Sequence, residues 1–143
     1  MRIETKFHAA IEIDPSEIWH FPKGIPGFET ETEFVLLPIE GSDSLQVLQS
    51  TKQPSVAFIV ANPYTLVTDY TFEIDNSTID LLEISQPEDI MVLGILSMKQ
   101  PYHESTINLQ APLIFHVPNK KAKQMILNDP RFTVRHPVGK GGN

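Results

Sequence analysis

Proline sets the first limit on what this chain can fold into. Twelve prolines in 143 residues exceed the average of roughly 5%, and each removes a backbone donor and fixes one backbone angle. They recur at fairly regular intervals and divide the chain into short segments, the pattern of an all-β protein with its sheet curled into a barrel or sandwich. Three of those segments are continuous apolar runs bounded by turn residues: FVLLPI (Phe34 to Ile39), VAFIVA (Val56 to Ala61) and IMVLGIL (Ile90 to Leu96). Such runs predict strands covered on both faces, and hence the core.

Other segments are legible from periodicity. Ile3, Thr5, Phe7, Ala9, Ile11 and Ile13 alternate with mainly polar neighbours, which predicts one strand with a wet face. Asp14-Pro15-Ser16-Glu17 has the spacing of a capping box and predicts a single helical turn. Leu45 to Ser50 and Leu66 to Ile74 read as more exposed strands, the second because Tyr70, Phe72 and Ile74 alternate with Thr71 and Glu73. Ser77-Thr78-Ile79-Asp80 offers a cap for a helix of about two turns that ends near Ile84, before Gln86-Pro87. Pro112 to Val117 and Arg131 to Arg135 are expected strands. KKAKQMIL (Lys120 to Leu127) fits a short helix capped by Asn119 or the return arm of a hairpin; the hairpin is favoured because a lone two-turn helix is marginal. The expected organisation is one domain over residues 1–138, a compact curled sheet or barrel-like unit with one or two short helical turns, and a disordered tail, GKGGN (Gly139 to Asn143).

The inventory excludes several chemistries. With no cysteine, disulfides, thiolate zinc sites and a cysteine nucleophile are absent. No serine lies in a G-x-S-x-G elbow. His8, His20, His103, His116 and His136 lack the local spacing that brings two imidazoles onto one metal. Glu29, Glu31 and Glu33 alternate, and an extended chain would put them on one face, but a general-acid pair needs a pocket that the pattern does not supply. A solvated acidic edge is the simpler reading. Asp75-Asn76-Ser77 lacks the glycine and distal glutamate of a calcium loop. The N-terminus lacks a signal-like apolar stretch, and IMVLGIL is too short to span a bilayer; a soluble cytoplasmic protein is expected.

Charge is unevenly spread. Residues 1–119 hold seventeen acids against five cations, a balance of −12, whereas residues 120–143 hold six cations against one acid, +5. An acidic body repels nucleic acid and suits a basic partner. The six cations are interspersed with apolar residues and do not form a phosphate-tracking run.

The stretch FPKGIPGFE (Phe21 to Glu29) reads as a wide, stiff turn. Pro22 and Pro26 fix two backbone angles, Gly24 and Gly27 permit conformations closed to other residues, and Phe21, Ile25 and Phe28 are placed to pin the turn to the core. Its Gly24/Gly27 spacing matches a clamp found in some RNA-binding domains, but one lysine and no helix follow it. Together with FVLLPI, VLQS (Val47 to Ser50), AFIVANPY (Ala57 to Tyr64), NLQAPLIF (Asn108 to Phe115) and KQMIL (Lys123 to Leu127), this stretch resembles the FliW family of flagellar assembly factors. The resemblance runs in one register from about Ile3 to Val138.

That resemblance implies a non-enzymatic, monomeric protein without cofactors, barrel-like in fold, that has two alternative partners. Flagellin would occupy it; once flagellin is exported, the freed protein would bind the translational repressor CsrA and relieve repression of flagellin mRNA. Phe21, Pro22, Gly24, Pro26, Gly27 and Phe28 are expected to determine the fold first, and Leu48, Phe58, Leu109 and Ile114 to lie in the core. Candidate partner contacts are Glu29, Glu31, Tyr64, Tyr102, Asn108 and Gln110, on loops that combine turn chemistry with amides, acids or aromatics. The alternative reading is a β-barrel nucleic-acid-binding module, which needs a basic groove with exposed aromatics.

Overall fold

The computed structural model describes residues 1–138; the expected tail, residues 139–143, lies outside them. The strands are β1 (Arg2–Ile3), β2 (Ile11–Glu12), β3 (Trp19–His20), β4 (Glu33–Pro38), β5 (Leu45–Ser50), β6 (Ala57–Ala61), β7 (Ile90–Ser97), β8 (Thr106–Ile107), β9 (Leu113–His116), β10 (Lys121–Gln124) and β11 (His136–Pro137), with one α-helix, α1 (Asn76–Leu82). Nine strands form one curled sheet in the order β11-β8-β7-β6-β5-β4-β3-β10-β9, and β9 also pairs with β7. The three apolar runs supply β4, β6 and β7, as their composition predicts.

The largest core cluster gathers Phe21, Phe34, Leu48, Val60, Leu113 and Phe115 with Trp19. Its rings meet edge to face, Trp19 with Phe115 at 4.9 Å and Phe21 with Phe34 at 5.2 Å, the favoured aromatic arrangement. Leu48, Leu109 and Ile114 are buried as expected, while Phe58 is partly buried and packs on the same cluster. β10 lies parallel to β3 along a short seam, at which the His20 N–H donates to the Lys120 carbonyl. Lys120 also sets its ammonium 4.2 Å from the centre of the Trp19 ring.

Where periodicity and structure differ, local hydrogen bonds decide. The segment from Ile3 to Ile13 is not one strand: β1 and β2 pair antiparallel across a loop. Within it the His8 N–H donates to Thr5 Oγ1, and the Lys6 N–H donates to Gln49 Oε1. Ile3 and Ile13 are still buried, whereas Phe7 is left exposed. β5 is deeply buried, against the exposed strand expected, because it runs between β4 and β6. Its polar Gln49 is tolerated inside because the amide donates to the carbonyls of Ser50 and Pro54.

Leu66 to Ile74 makes no ladder. Burial does alternate along Tyr70, Phe72 and Ile74, but the segment crosses the sheet as a strap, anchored by the Tyr70 hydroxyl donating to the Leu109 carbonyl at 2.6 Å. α1 is capped by Asp75, which accepts from the Thr78 N–H, not by Ser77, and it ends at Glu83 in a left-handed conformation. Asp14-Pro15-Ser16-Glu17 forms the expected capping box. Lys121–Gln124 pairs antiparallel with β9, so the hairpin reading holds. The last strand is His136–Pro137 on β8 rather than Arg131 to Arg135, which is irregular because the Asp129 carboxylate turns the chain by accepting from the Arg131 N–H.

The FPKGIPGFE corner is built as its composition demands. Phe21 and Ile25 are buried, while Phe28 stays 41% exposed and meets Phe58 in a T-shaped pair, ring centres 5.4 Å apart. Gly24 (φ +65°) is additionally crowded, since a Cβ there would lie 2.6 Å from the Glu29 backbone; Gly27 (φ +89°) has nothing within 4 Å. Gly24→Ala is expected to destabilise by at least about 1–3 kcal/mol and by more than Gly27→Ala, as read from urea midpoints at constant slope.

Candidate protein-binding groove

The strap, α1, the turn Pro87–Asp89 and the first half of β7 enclose an open apolar groove. One part, about 620 Å³, is lined by Phe72, Ile74, Ile79, Ile84, Pro87 and Ile90, with Glu73 at its side. A second part, about 420 Å³, shares Phe72, Ile74, Pro87 and Ile90 and continues to Met91, Val92, Asn62 and Tyr64. The shared walls make one continuous depression. No lysine or arginine lines either part.

Each wall has a local cause. Asn62 Oδ1 accepts from the Tyr64 N–H at 2.8 Å and starts the turn Pro63–Thr65, which ends β6 and turns Tyr64 outward, 47% exposed. Tyr70 braces Tyr64 from behind, ring centres 5.6 Å apart, and meets Phe132 edge to face. Burial raises the ionisation of both tyrosine hydroxyls above the usual phenol range, and Tyr64 adds to the shift at Tyr70. α1 is held to the sheet by Leu82, packed on Ile114 and Met125, and by the Asn119 amide donating to the Leu82 carbonyl. An apolar trough with few polar groups fits side chains of a protein partner better than a small charged ligand.

The six candidate contact residues are not brought to one place. Tyr64 lines the groove. Asn108 and Gln110 flank Leu109, whose carbonyl receives the Tyr70 hydroxyl, so they stand behind the groove. Asn108 Oδ1 accepts from the N–H groups of Gln110 and Ala111. The Gln110 amide donates to the carbonyls of Asp129 and Phe132 and accepts from the Asp129 N–H. Glu29 and Glu31 sit on the FPKGIPGFE corner, where the chain turns, so the single carboxylate face expected of an extended Glu29-Glu31-Glu33 does not form. Glu31 accepts from Ser50 Oγ at 2.7 Å. Glu29 accepts from the Gly27 N–H, which lowers its pKa below the usual carboxylate range. Tyr102 is exposed on the turn Tyr102–Glu104 between β7 and β8.

Sequence reading missed Phe72, Ile74, Pro87 and Val92 as groove residues, because apolar alternation marks burial and does not say whether a strand partner is present. The groups that could have carried other chemistry are dispersed. His8 Nε2 bonds the Pro38 carbonyl and His116 Nδ1 bonds Asn119. Among the described residues no three His, Asp or Glu side chains are grouped to hold a metal ion. Lys121 pairs with Glu83 and Arg131 with Asp129, on separate parts of the surface. No helix among the described residues is long and apolar enough to cross a membrane.

The described residues thus form a curled sheet with an open apolar groove beside the first half of β7. The chain belongs to the FliW protein family, whose sequence model matches residues 2–138. It is 43% identical over 141 residues to the flagellar assembly factor FliW of Bacillus velezensis, covering 99% of each chain. Against that of Bacillus subtilis it is 41% identical over 139 residues, 97% of each. A crystal structure of a flagellar assembly factor FliW superposes with a TM-score of 0.94 at 33% identity, covering 100% of both chains.

Gln110→Ala is expected to lower stability by about 1–3 kcal/mol, because it strips one donor and two acceptors of their partner; thermal melting checks it. The Glu29 contribution has the sign of a depressed carboxylate. It is present above the ordinary value of 4.5 and lost as pH falls through the lower folded value. Glu29→Gln should therefore be slightly less stable than the parent near neutral pH and lose less stability on acidification, the two curves converging in acid, as read from urea midpoints across a pH series.

Proposed function

We propose that the chain is a non-enzymatic, partner-switching regulator of flagellin synthesis and flagellum assembly. As a single-domain monomer over residues 1–138, in the cytoplasm, it binds flagellin; when flagellin is exported it binds CsrA and antagonises translational repression. The observation that carries this reading is membership of the FliW family over nearly the whole chain, with relatives named flagellar assembly factors. The apolar groove supplies a seat for a protein partner, and Tyr64 on its wall is the best supported of the contact residues. Tyr102 and the outer faces of Glu29 and Glu31 offer secondary contacts, whereas Asn108 and Gln110 act by holding the loops behind the groove.

Charge gives part of the antagonism. A carboxylate about 8 Å from an RNA phosphate costs roughly 0.2 kcal/mol after screening, so half a dozen contribute about 1 kcal/mol, near fivefold in affinity. The remainder comes from steric exclusion or from a CsrA conformation with lower RNA affinity.

Size-exclusion chromatography of the protein with CsrA, followed by added flagellin, is expected to show displacement of CsrA; a stable ternary complex would exclude simple switching. RNA release from CsrA should weaken modestly with added salt, and complete insensitivity removes the electrostatic share. Tyr64→Ala should weaken binding of at least one partner by about tenfold or more while leaving the melting temperature within a few degrees.

A further inference from the structure

The floor of the groove is a strand edge, not a strand face. Successive side chains of a strand point to opposite sides, yet three consecutive residues, Ile90, Met91 and Val92, line the same depression. Only an open edge presents all three. The hydrogen-bond phase agrees. The Val117 N–H donates to the Asp89 carbonyl, and Ile90 faces His116 across the β7–β9 ladder. Because antiparallel pairs alternate, Met91 and Leu93 bond β9, and Ile90 and Val92 direct their backbone groups the other way. Beyond them that edge is taken by β6, through Ala61 opposite Gly94. At Asn62-Pro63 the chain leaves the sheet, and β7 loses its neighbour. The Ile90 N–H is satisfied by the Pro87 carbonyl. By this phase neither β9 nor β6 supplies a partner for the Ile90 carbonyl or for the backbone groups of Val92, and no turn or loop backbone bond reaches them among the described residues.

We propose that this edge receives an extended peptide segment of a partner protein as an added strand, held by three backbone hydrogen bonds. Ala61, opposite Gly94, bounds it at one end and the turn Pro87–Asp89 at the other, so it accepts a short segment of about four residues at roughly 3.3 Å each. Alternate apolar side chains of the guest would lie against Phe72, Ile74 and Tyr64, as in other cases of strand addition where backbone bonds give affinity and pockets give specificity. The guest is cationic between its apolar residues. Glu73 flanks the trough, and Glu88 and Asp89 stand on the turn at its end, with no ion-pair partner among the described residues. The inference rests on reading the groove as a seat for protein, and not on which protein fills it.

The test begins with the free chain, ¹⁵N-labelled. The Val92 amide is expected to exchange with solvent at least tenfold faster than those of Met91 and Leu93; equal protection would mean the edge is already closed and overturns the proposal. A synthetic peptide of alternating lysine with isoleucine or valine is then titrated in. Expected are shift changes confined to residues 62–64, 72–74 and 87–92, slowed exchange at Val92, and at least tenfold weaker binding when the guest residue facing Val92 is N-methylated. Equal binding by the N-methylated peptide, binding as a helix, or no binding at millimolar concentration overturns strand addition. Equal binding by the peptide with glutamate for lysine overturns the charge assignment. Failure of flagellin and CsrA to bind in the separate competition experiment would remove those partners without touching this result.

Discussion

Strand β7 holds the sheet together, because it is paired successively by three others along its length. β9 takes Ile90 to Leu93 on one edge, β6 takes Gly94 and Ile95 on the other, and β8 takes Leu96 and Ser97 on the edge β9 has left. The sheet can curl back on itself only if one strand serves both ends of the order, and β7 does so with eight residues. Its apolar run is therefore a requirement of position: both faces are covered for much of its length. The groove arises from the same arrangement, since β6 stops at Ala61 and the first residues of β7 are bordered on one side alone.

The FPKGIPGFE corner serves that curl. It reverses the chain between β3 and β4, and Phe21 carries the turn into the middle of the core, beside Phe34 and Phe115 from strands far apart in the chain. Gly24 lets the backbone of Glu29 approach more closely than any side chain permits. The stiffness supplied by two prolines and two glycines thus fixes how two strands enter the sheet, and the acids beyond it, Glu29 and Glu31, bond back onto the corner and onto Ser50.

Much of this was legible in the sequence, and the failures share a cause. FVLLPI, VAFIVA and IMVLGIL became strands because continuous apolar runs between turn residues have few other solutions. Asp14-Pro15-Ser16-Glu17 formed its cap because the interaction is local. Leu66 to Ile74 was misread because Tyr70, Phe72 and Ile74 alternate for packing over the sheet, a demand that leaves the same pattern as a ladder. Leu45 to Ser50 forms its expected strand but lies deeper than its pattern suggests, because Gln49 and Ser50 look wet until Lys6, Pro54 and Glu31 are brought to them. The candidate site was less legible still. Asn108 and Gln110 were singled out for their amides, which in fact bond the surrounding loops, while the groove is assembled from residues thirty positions apart that carry no local signature.

The seam between β3 and β10 has a practical consequence. It is the narrow parallel join of the sheet, and the chain's one tryptophan lies there, buried, with the Lys120 ammonium over its ring. Its fluorescence therefore works as a built-in gauge of a single junction. Parting of that junction would let water reach the indole and move its emission to longer wavelength, so loosening there is separable from fraying at β11 without any attached dye.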